Sequence, residues 1–242
     1  GELIGALFEQ RDIGVHVNSK IISVSGGAGK KTVTLETNGR HHSIVVEEVL
    51  LAAGKAPNLD LGLDNAGIKY DRRGLKVNLH MQTSVKHIYA AGDVVGPFMF
   101  THMAAYQSRV AAHNMYQNRK VSVNYHAVPR CTFVDPEVAS VGPSEQELRD
   151  KDIKLQIGTA EISIVGRANT SNQSTGFVKV IASHTGVLLG ASIVSPRAGE
   201  MIHELTLAIH KGLKARDIVK TIHAFPTWSE AVRVACTRIR NT

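Results

Sequence analysis

Hydrophobic and polar residues follow a strand-like pattern over the first quarter of the chain. Apolar and β-branched residues alternate or form short runs at 31–37 and 43–53, and Asn38-Gly39 separates the two runs. Asn-Gly between two β-rich runs is a strong hairpin signal. The pattern therefore predicts strands within residues 14–53, preceded by a short amphipathic helix over residues 2–10.

The middle of the chain changes from short strands to one long helix. Glycine and proline in the stretch 54–58 end the last strand and predict a domain boundary shortly after it. Short strands are predicted at 74–78 and 87–91, the second ending in Gly92-Asp93. A long helix is predicted over residues 101–117.

After residue 121 the pattern shows separated strands first and helices later. The predicted strands are 131–134, 155–164, 176–182 and 187–195, and the predicted helices are 200–211, 215–221 and 228–238. Ser144 and Glu147 have the spacing of a capping box at a further helix start. This order predicts an α+β fold, with helices on a C-terminal antiparallel sheet.

Composition and charge narrow the functional classes. The chain has 242 residues, a net charge of +7 and 43% hydrophobic residues, which is typical of a globular protein. No apolar run approaches the roughly 18 residues of a membrane span, so we expect no membrane span. The basic residues are scattered and aromatics are few, which argues against nucleic-acid binding. Because the first residue is Gly1 and not Met, we expect the chain to begin inside a larger protein.

The cysteines and histidines exclude two kinds of site. Cys131 and Cys236 are the only cysteines and are far apart, so we expect no disulfide framework and a reducing, cytoplasmic compartment. Adjacent His41 and His42 would face opposite sides of a strand. The other histidines lack a compact ligand spacing, so no metal site is predicted.

Gly92 and Asp93 form the strongest candidate site. A short apolar strand that ends in Gly-Asp lets the backbone approach a ligand and places a carboxylate at the strand's carboxyl end, where α/β sheets bind ligands. Asp93 could accept hydrogen bonds from sugar hydroxyls. The simpler alternative is an Asp-capped turn, which is common at such positions.

Several segments, in this order along the chain, resemble motifs of the pyridine nucleotide-disulfide oxidoreductases. The segments are 51–58, 83–93, 133–142, 200–204 and 222–230. By this resemblance residues 1–69 are the C-terminal part of an NAD(P)-binding domain, residues 70–120 a second FAD-binding segment and residues 121–242 a dimerisation domain. The first two would be partial Rossmann-like segments.

The resemblance also implies site residues and a partner. It assigns Gly92, Asp93 and Thr101 to FAD, with Thr101 beside the flavin at a helix start, where the helix dipole favours negative charge. It assigns Gly54 and Ile21 to NAD(P), although core packing is an equal alternative for Ile21. A symmetric homodimer is also implied. The predicted helix face of Met201, Leu205, Ala208 and Ile209 suggests the same, since it needs a partner surface.

The chain departs from the family at four places. It contains no GxGxxG and no CxxxxC pair, and Lys55 stands where the family usually has arginine. Phe225 precedes Pro226 where disulfide reductases of the family carry a histidine acid. Glu230, the expected partner of that acid, is also placed to cap a helix.

These departures leave two functional hypotheses open. The first is part of an FAD-dependent NAD(P)H oxidoreductase with Glu230 and His223 as remaining catalytic candidates. Its small-molecule electron acceptor would not be a lipoyl disulfide, because Phe225 offers no proton. The second is a non-catalytic dimerisation module of a larger flavoprotein. In either case we expect the isolated chain to be inactive.

Overall fold

The structure, a computed structural model, describes residues 1–241. These residues divide into two compact units, Gly1–Val123 (unit 1) and the remainder from Asn124 (unit 2). The expected division into residues 1–69, 70–120 and 121–242 stays a prediction.

Unit 1 begins with one helix and a three-stranded antiparallel sheet. Helix α1 (Glu2–Glu9) is followed by strands β1 (Ser19–Gly27), β2 (Lys30–Thr37) and β3 (Arg40–Val46), in the order β1-β2-β3. Asn38 and Gly39 connect β2 to β3 with positive φ angles of 51° and 75°. Asparagine and glycine adopt this conformation at low cost, so the predicted hairpin is confirmed.

Two strand predictions in unit 1 fail in part or in whole. Residues 47–53 continue β3 in sequence but not as a strand, and Leu50 and Leu51 are 91% and 81% exposed. A strand needs a neighbour for its backbone groups, and no described residue pairs with this stretch. Residues 87–91 contribute only a single bridge, between Gln82 and Tyr89.

The rest of unit 1 forms a turn-rich segment and one long helix. It contains β4 (Tyr70–Asp71), β5 (Gly74–Leu75), a 3-10 turn (Asp93–Val95) and α2 (Thr101–Tyr116). The predicted strand 74–78 is therefore only two residues long. Asn114 of α2 is buried, and its side-chain amide donates to His80 O and Val121 O, while its Oδ1 accepts from Val121 N. These bonds hold the chain at Val121, near the end of unit 1, against α2.

Unit 2 is a six-stranded antiparallel sheet with helices, as the sequence predicts. The elements, in chain order, are β6 (Arg130–Thr132), β7 (Glu137–Val141), α3 (Glu145–Arg149), β8 (Leu155–Glu161), α4 (Gly166–Thr170), β9 (Phe177–Ser183), β10 (Leu188–Ser195), α5 (Ala198–His210), α6 (Ala215–Lys220), α7 (Glu230–Thr237) and β11 (Arg240–Asn241). The strand order in the sheet is β11-β8-β9-β10-β7-β6. The capping box of Ser144 and Glu147 is present at α3.

The core of unit 2 lies between the sheet and its two longest helices. Helix α5 packs on β7 and β10, and α7 packs on β8 and β9. The apolar face of α5 lies inside this core, with Met201 3%, Leu205 0%, Ala208 1% and Ile209 1% exposed. The expectation that this face needs a partner is therefore wrong, because the sheet of the same unit covers it. A hydrophobic face of this kind is the main source of helix stability.

Within residues 1–241, every helix is too short or too polar to cross a lipid bilayer.

Candidate functional site

The loop of Gly92 and Asp93 is held tightly against α2. Gly92 has a φ of 84° and its N–H donates to Oε1 of Gln107 at 2.7 Å. A Cβ at Gly92 would lie 3.2 Å from Cβ of Ala104, so glycine allows this close approach. Gln107 is only 2% exposed, which fixes the bond away from water. Asp93 then opens the 3-10 turn.

A second glycine closes the other side of this turn. Gly96 follows the turn with a φ of 103°, and a Cβ there would lie 2.5 Å from the carbonyl oxygen of Arg73. A side chain at this position would therefore collide with backbone. The two glycines and Gln107 leave the carboxylate of Asp93, 47% exposed, as the polar group that the loop presents.

Helix α2 begins at Thr101, eight residues after Asp93. Phe100 precedes the helix, and neither a side-chain cap nor an acidic first-turn residue is found there among the described residues. The rings of Phe100 and His102 are stacked, with centroids 5.2 Å apart and planes 8° apart. Helix N-termini with free backbone donors favour anionic groups. Thr101 is the first residue of this helix, at the position that the sequence predicts.

Lys55 connects this loop to the Gly54 turn. Its Nζ lies 3.1 Å from Oδ2 of Asp93 and donates to the carbonyl oxygen of Met99 at 2.7 Å. Gly54 has a φ of 100°, and a Cβ built on it would have open space around it. The sequence marked Lys55 as a departure from the family motif. It did not indicate the ion pair, which joins residues 38 positions apart.

Ile21 lies on β1 beside a bulge and is 55% exposed. In this chain it is therefore not a core residue, contrary to the packing alternative. Its role, like that of Gly54, Gly92, Asp93 and Thr101, stays a prediction.

In unit 2, His223 is paired with a glutamate of α5. Its Nε2 lies 3.0 Å from Oε1 of Glu204 and its Nδ1 lies 2.9 Å from the carbonyl oxygen of Thr221, with 6% of the side chain exposed. A carbonyl oxygen only accepts, so Nδ1 carries a hydrogen. The sequence did not indicate Glu204 as this partner.

Glu230 is the first residue of α7, and its N-cap Ser229 makes no side-chain cap hydrogen bond, so the predicted capping of this helix by Glu230 is wrong. Oε2 of Glu230 accepts from the backbone N–H of Thr227 at 3.1 Å, while Oγ1 of Thr227 donates to Ala224 O at 2.7 Å. Phe225 lies between these bonds and the His223 pair, and it is 77% exposed. His223 therefore binds the segment 221–230 to α5, and Glu230 binds the backbone within that segment. Among the described residues, no hydrogen bond joins His223 to Glu230.

Neither cysteine is activated. Burial and the nearby charge of Glu204 raise the pKa of the Cys236 thiol to about 12. Burial and then the charges of Glu137 and Glu200 raise the pKa of the Cys131 thiol above its usual value. Since the thiolate is the reactive form, these thiols are poor nucleophiles. No cluster of three or more possible metal ligands occurs within residues 1–241.

Two family models match the chain. Residues 1–108 match the model described as pyridine nucleotide-disulphide oxidoreductase, and residues 128–236 match that of the dimerisation domain of the same proteins. The chain belongs to the pyridine nucleotide-disulphide oxidoreductase family. Members of this family use FAD and NAD(P)H. The resemblance stated from sequence motifs is thereby confirmed.

Curated relatives carry the name dihydrolipoyl dehydrogenase. The protein of Geobacillus stearothermophilus is 43% identical over 202 residues, which is 82% of this chain and 43% of the relative. The protein of Thermus scotoductus is 36% identical over 238 residues, 96% of this chain and 51% of the relative. The chain spans about half the length of the curated relatives it matches.

Solved structures show the same fold. LpdA of Mycobacterium tuberculosis matches with a TM-score of 0.88 at 26% identity, over 98% of this chain and 52% of that protein. The HOCl-induced flavoprotein disulfide reductase RclA of Escherichia coli matches with a TM-score of 0.88 at 24% identity, over 98% of this chain and 54% of that protein. The predicted fold class, α+β with partial FAD and NAD segments, is confirmed.

Proposed function

We propose that this chain is the C-terminal half of an FAD-dependent NAD(P)H oxidoreductase. The observation that carries the proposal is the Gly92–Asp93 loop, whose exposed carboxylate shares the Lys55 ammonium with the carbonyl oxygen of Met99, two residues before α2 begins. Asp93 would accept hydrogen bonds from the ribityl and phosphate side of FAD, and Gly92 would let the backbone approach it. Thr101 would lie at the flavin's pyrimidine edge. FAD bound there would accept hydride from the nicotinamide and pass electrons onward.

The proposal also assigns a role to each of the three predicted domains. Residues 1–69 would hold NAD(P), with the open turn at Gly54 and the exposed side chain of Ile21 as contacts. Residues 70–120 would hold FAD, and residues 121–242 would form a homodimer. Free Cys131 and Cys236 support a reducing, cytoplasmic compartment.

We place the electron acceptor outside the lipoyl disulfides. Reduction of a dithiol substrate requires a proton at the departing thiolate, and the exposed ring of Phe225 has none to give. His223 is buried and bonded at both ring nitrogens, so it is poorly placed to replace a mobile acid. A small-molecule acceptor that needs no such acid, for example a quinone, oxygen or a metal ion, fits these residues better.

A second candidate is dihydrolipoyl dehydrogenase activity, which the names of the curated relatives favour. It would require another residue of the full-length protein to supply the proton. A third candidate, a non-catalytic dimerisation module, is compatible with the absence of a GxGxxG fingerprint from the chain.

Flavin content tests the proposal. We expect the full-length protein to purify with bound FAD, and the 242-residue chain alone to bind FAD weakly and to be inactive, because it supplies one side of the site. In the full-length protein, Asp93→Ala should lower FAD retention, since unpairing buried hydroxyls costs about 1–3 kcal/mol. Asp64→Ala, which removes another carboxylate of unit 1, is the control. Equal FAD content in the two variants would contradict the site.

A further inference from the structure

Lys55 joins three points of unit 1 that lie far apart in sequence. The residue follows Gly54 directly, its Nζ pairs with Oδ2 of Asp93, and the same Nζ donates to the carbonyl oxygen of Met99. Met99 lies two residues before Thr101, where α2 begins. One ammonium group therefore connects the turn beside Gly54 with the carboxylate and the helix start on the other side.

The Lys55 bond restrains the orientation of the Asp93 carboxylate. The backbone of the loop is already fixed by the Gly92–Gln107 bond and by the close approach of Gly96 to Arg73. What remains free is rotation of the carboxylate itself. The bond from Lys55 to Oδ2 restrains this rotation and leaves Oδ1 able to accept from other donors. An ion pair this exposed stabilises the fold only slightly, since solvent screens it.

We propose that Lys55 is a positioning residue that orients the Asp93 carboxylate and ties the Gly54 turn to the start of α2. This inference rests on the proposed function, because it gives Lys55 a role in FAD and NAD(P)H binding. The family's usual arginine could make the same contacts, since a guanidinium offers five donors. A neutral side chain of similar length could not.

The test compares three variants of the full-length protein. Lys55→Met removes the ammonium, Lys55→Arg restores a cation, and Lys76→Met removes a matched ion pair. The Lys76–Asp71 pair lies in the same unit and is similarly exposed, with 54% and 48% of the side chains accessible against 61% and 47% for Lys55 and Asp93. The measurements are the Kd of FAD for the apoprotein, the KM for NAD(P)H and the melting temperature.

We expect Lys55→Met to raise the Kd of FAD about threefold to tenfold and to raise the KM for NAD(P)H, with a melting temperature like that of Lys76→Met. Lys55→Arg should restore both values. Equal FAD and NAD(P)H binding by Lys55→Met and Lys76→Met would overturn the role of Lys55 and leave the proposed function intact. Failure of the unmodified full-length protein to bind FAD would overturn both.

Discussion

Nε2 of His223 lies 3.0 Å from Oε1 of Glu204, and this pair fastens the segment before Phe225 to helix α5. The imidazole is almost fully buried, and its second nitrogen bonds to Thr221 of its own segment. The histidine therefore acts as a fixed support for the loop, while the neighbouring Phe225 projects to solvent.

Removing this support should destabilise unit 2. We expect His223→Ala to lower the free energy of unfolding by about 1–3 kcal/mol, because Glu204 loses a hydrogen-bonded partner in a partly buried site. Urea unfolding of the chain, followed by the fluorescence of its single tryptophan, Trp228, measures this. The control is His203→Ala, because His203 is an exposed histidine on α5, the helix that carries Glu204. Equal stability of the two variants would show that the pair contributes nothing.

Phe225 should limit the reduction of disulfides. In a full-length protein with a flavin-proximal cysteine pair, we expect poor turnover of lipoamide and glutathione disulfide, with quinone reduction retained. Phe225→His should raise disulfide turnover, since general acid catalysis contributes about 10²–10⁴-fold. Phe133→His is the matched control, because Phe133 is also an exposed phenylalanine of unit 2, at 82% against 77%.

The outcome that would contradict this reading is robust disulfide turnover by the unmodified protein that survives His223→Ala. Another group would then supply the proton.

Some secondary-structure elements of this chain can be predicted from its sequence, and others cannot. Helices α2 and α5 and the Asn38-Gly39 hairpin follow from local periodicity and turn residues, and they are where the pattern predicts them. The stretch 47–53 looks like a strand because residues 49–53 are apolar, but pairing depends on a neighbour that no local pattern specifies. The strand order of unit 2 likewise depends on pairing that no local pattern specifies.

The candidate site shows the same limit. The Gly-Asp motif points to Asp93 and the family resemblance assigns Thr101, whereas the pairs Lys55–Asp93 and His223–Glu204 join residues distant in sequence. Gln107 did leave a signal, since it is a polar residue on the buried face of α2, four positions after Met103. A buried polar group requires a partner, and Gly92 provides it.

The exposed side of α5 should lie in a subunit interface. Leu207 is 59% exposed on this helix, within the segment that matches the dimerisation domain. We expect Leu207→Glu to raise the dimer dissociation constant at least about tenfold, because an unpaired charge would be buried. Sedimentation equilibrium measures it. Leu79→Glu, at a 60% exposed leucine of unit 1, is the control, and equal dissociation of both variants would contradict the assignment.

Glu145 should make the stability of unit 2 depend on pH. Its bond to Lys179 lowers the pKa of the Glu145 carboxyl below its ordinary 4.5. The stabilisation is therefore fully present above pH 4.5 and is lost as the pH falls through the lowered pKa. Glu145→Gln should cost about 0.5–1 kcal/mol at neutral pH, and nothing once the wild-type carboxyl is protonated.

Urea unfolding at neutral and acid pH measures this difference, with Glu161→Gln, an exposed carboxylate of β8, as control. A Glu145→Gln effect that persists unchanged in acid would show that the ion pair is not its cause.

The central claim is that this chain belongs to a protein that passes hydride from NAD(P)H to bound FAD. Anaerobic titration of the full-length protein with NADH and with NADPH, followed by the visible flavin absorbance, tests it most directly. We predict a flavin spectrum in the protein as purified and its bleaching by about one equivalent of at least one of the two nucleotides. A colourless protein, or a flavin that neither nucleotide bleaches, would contradict the claim.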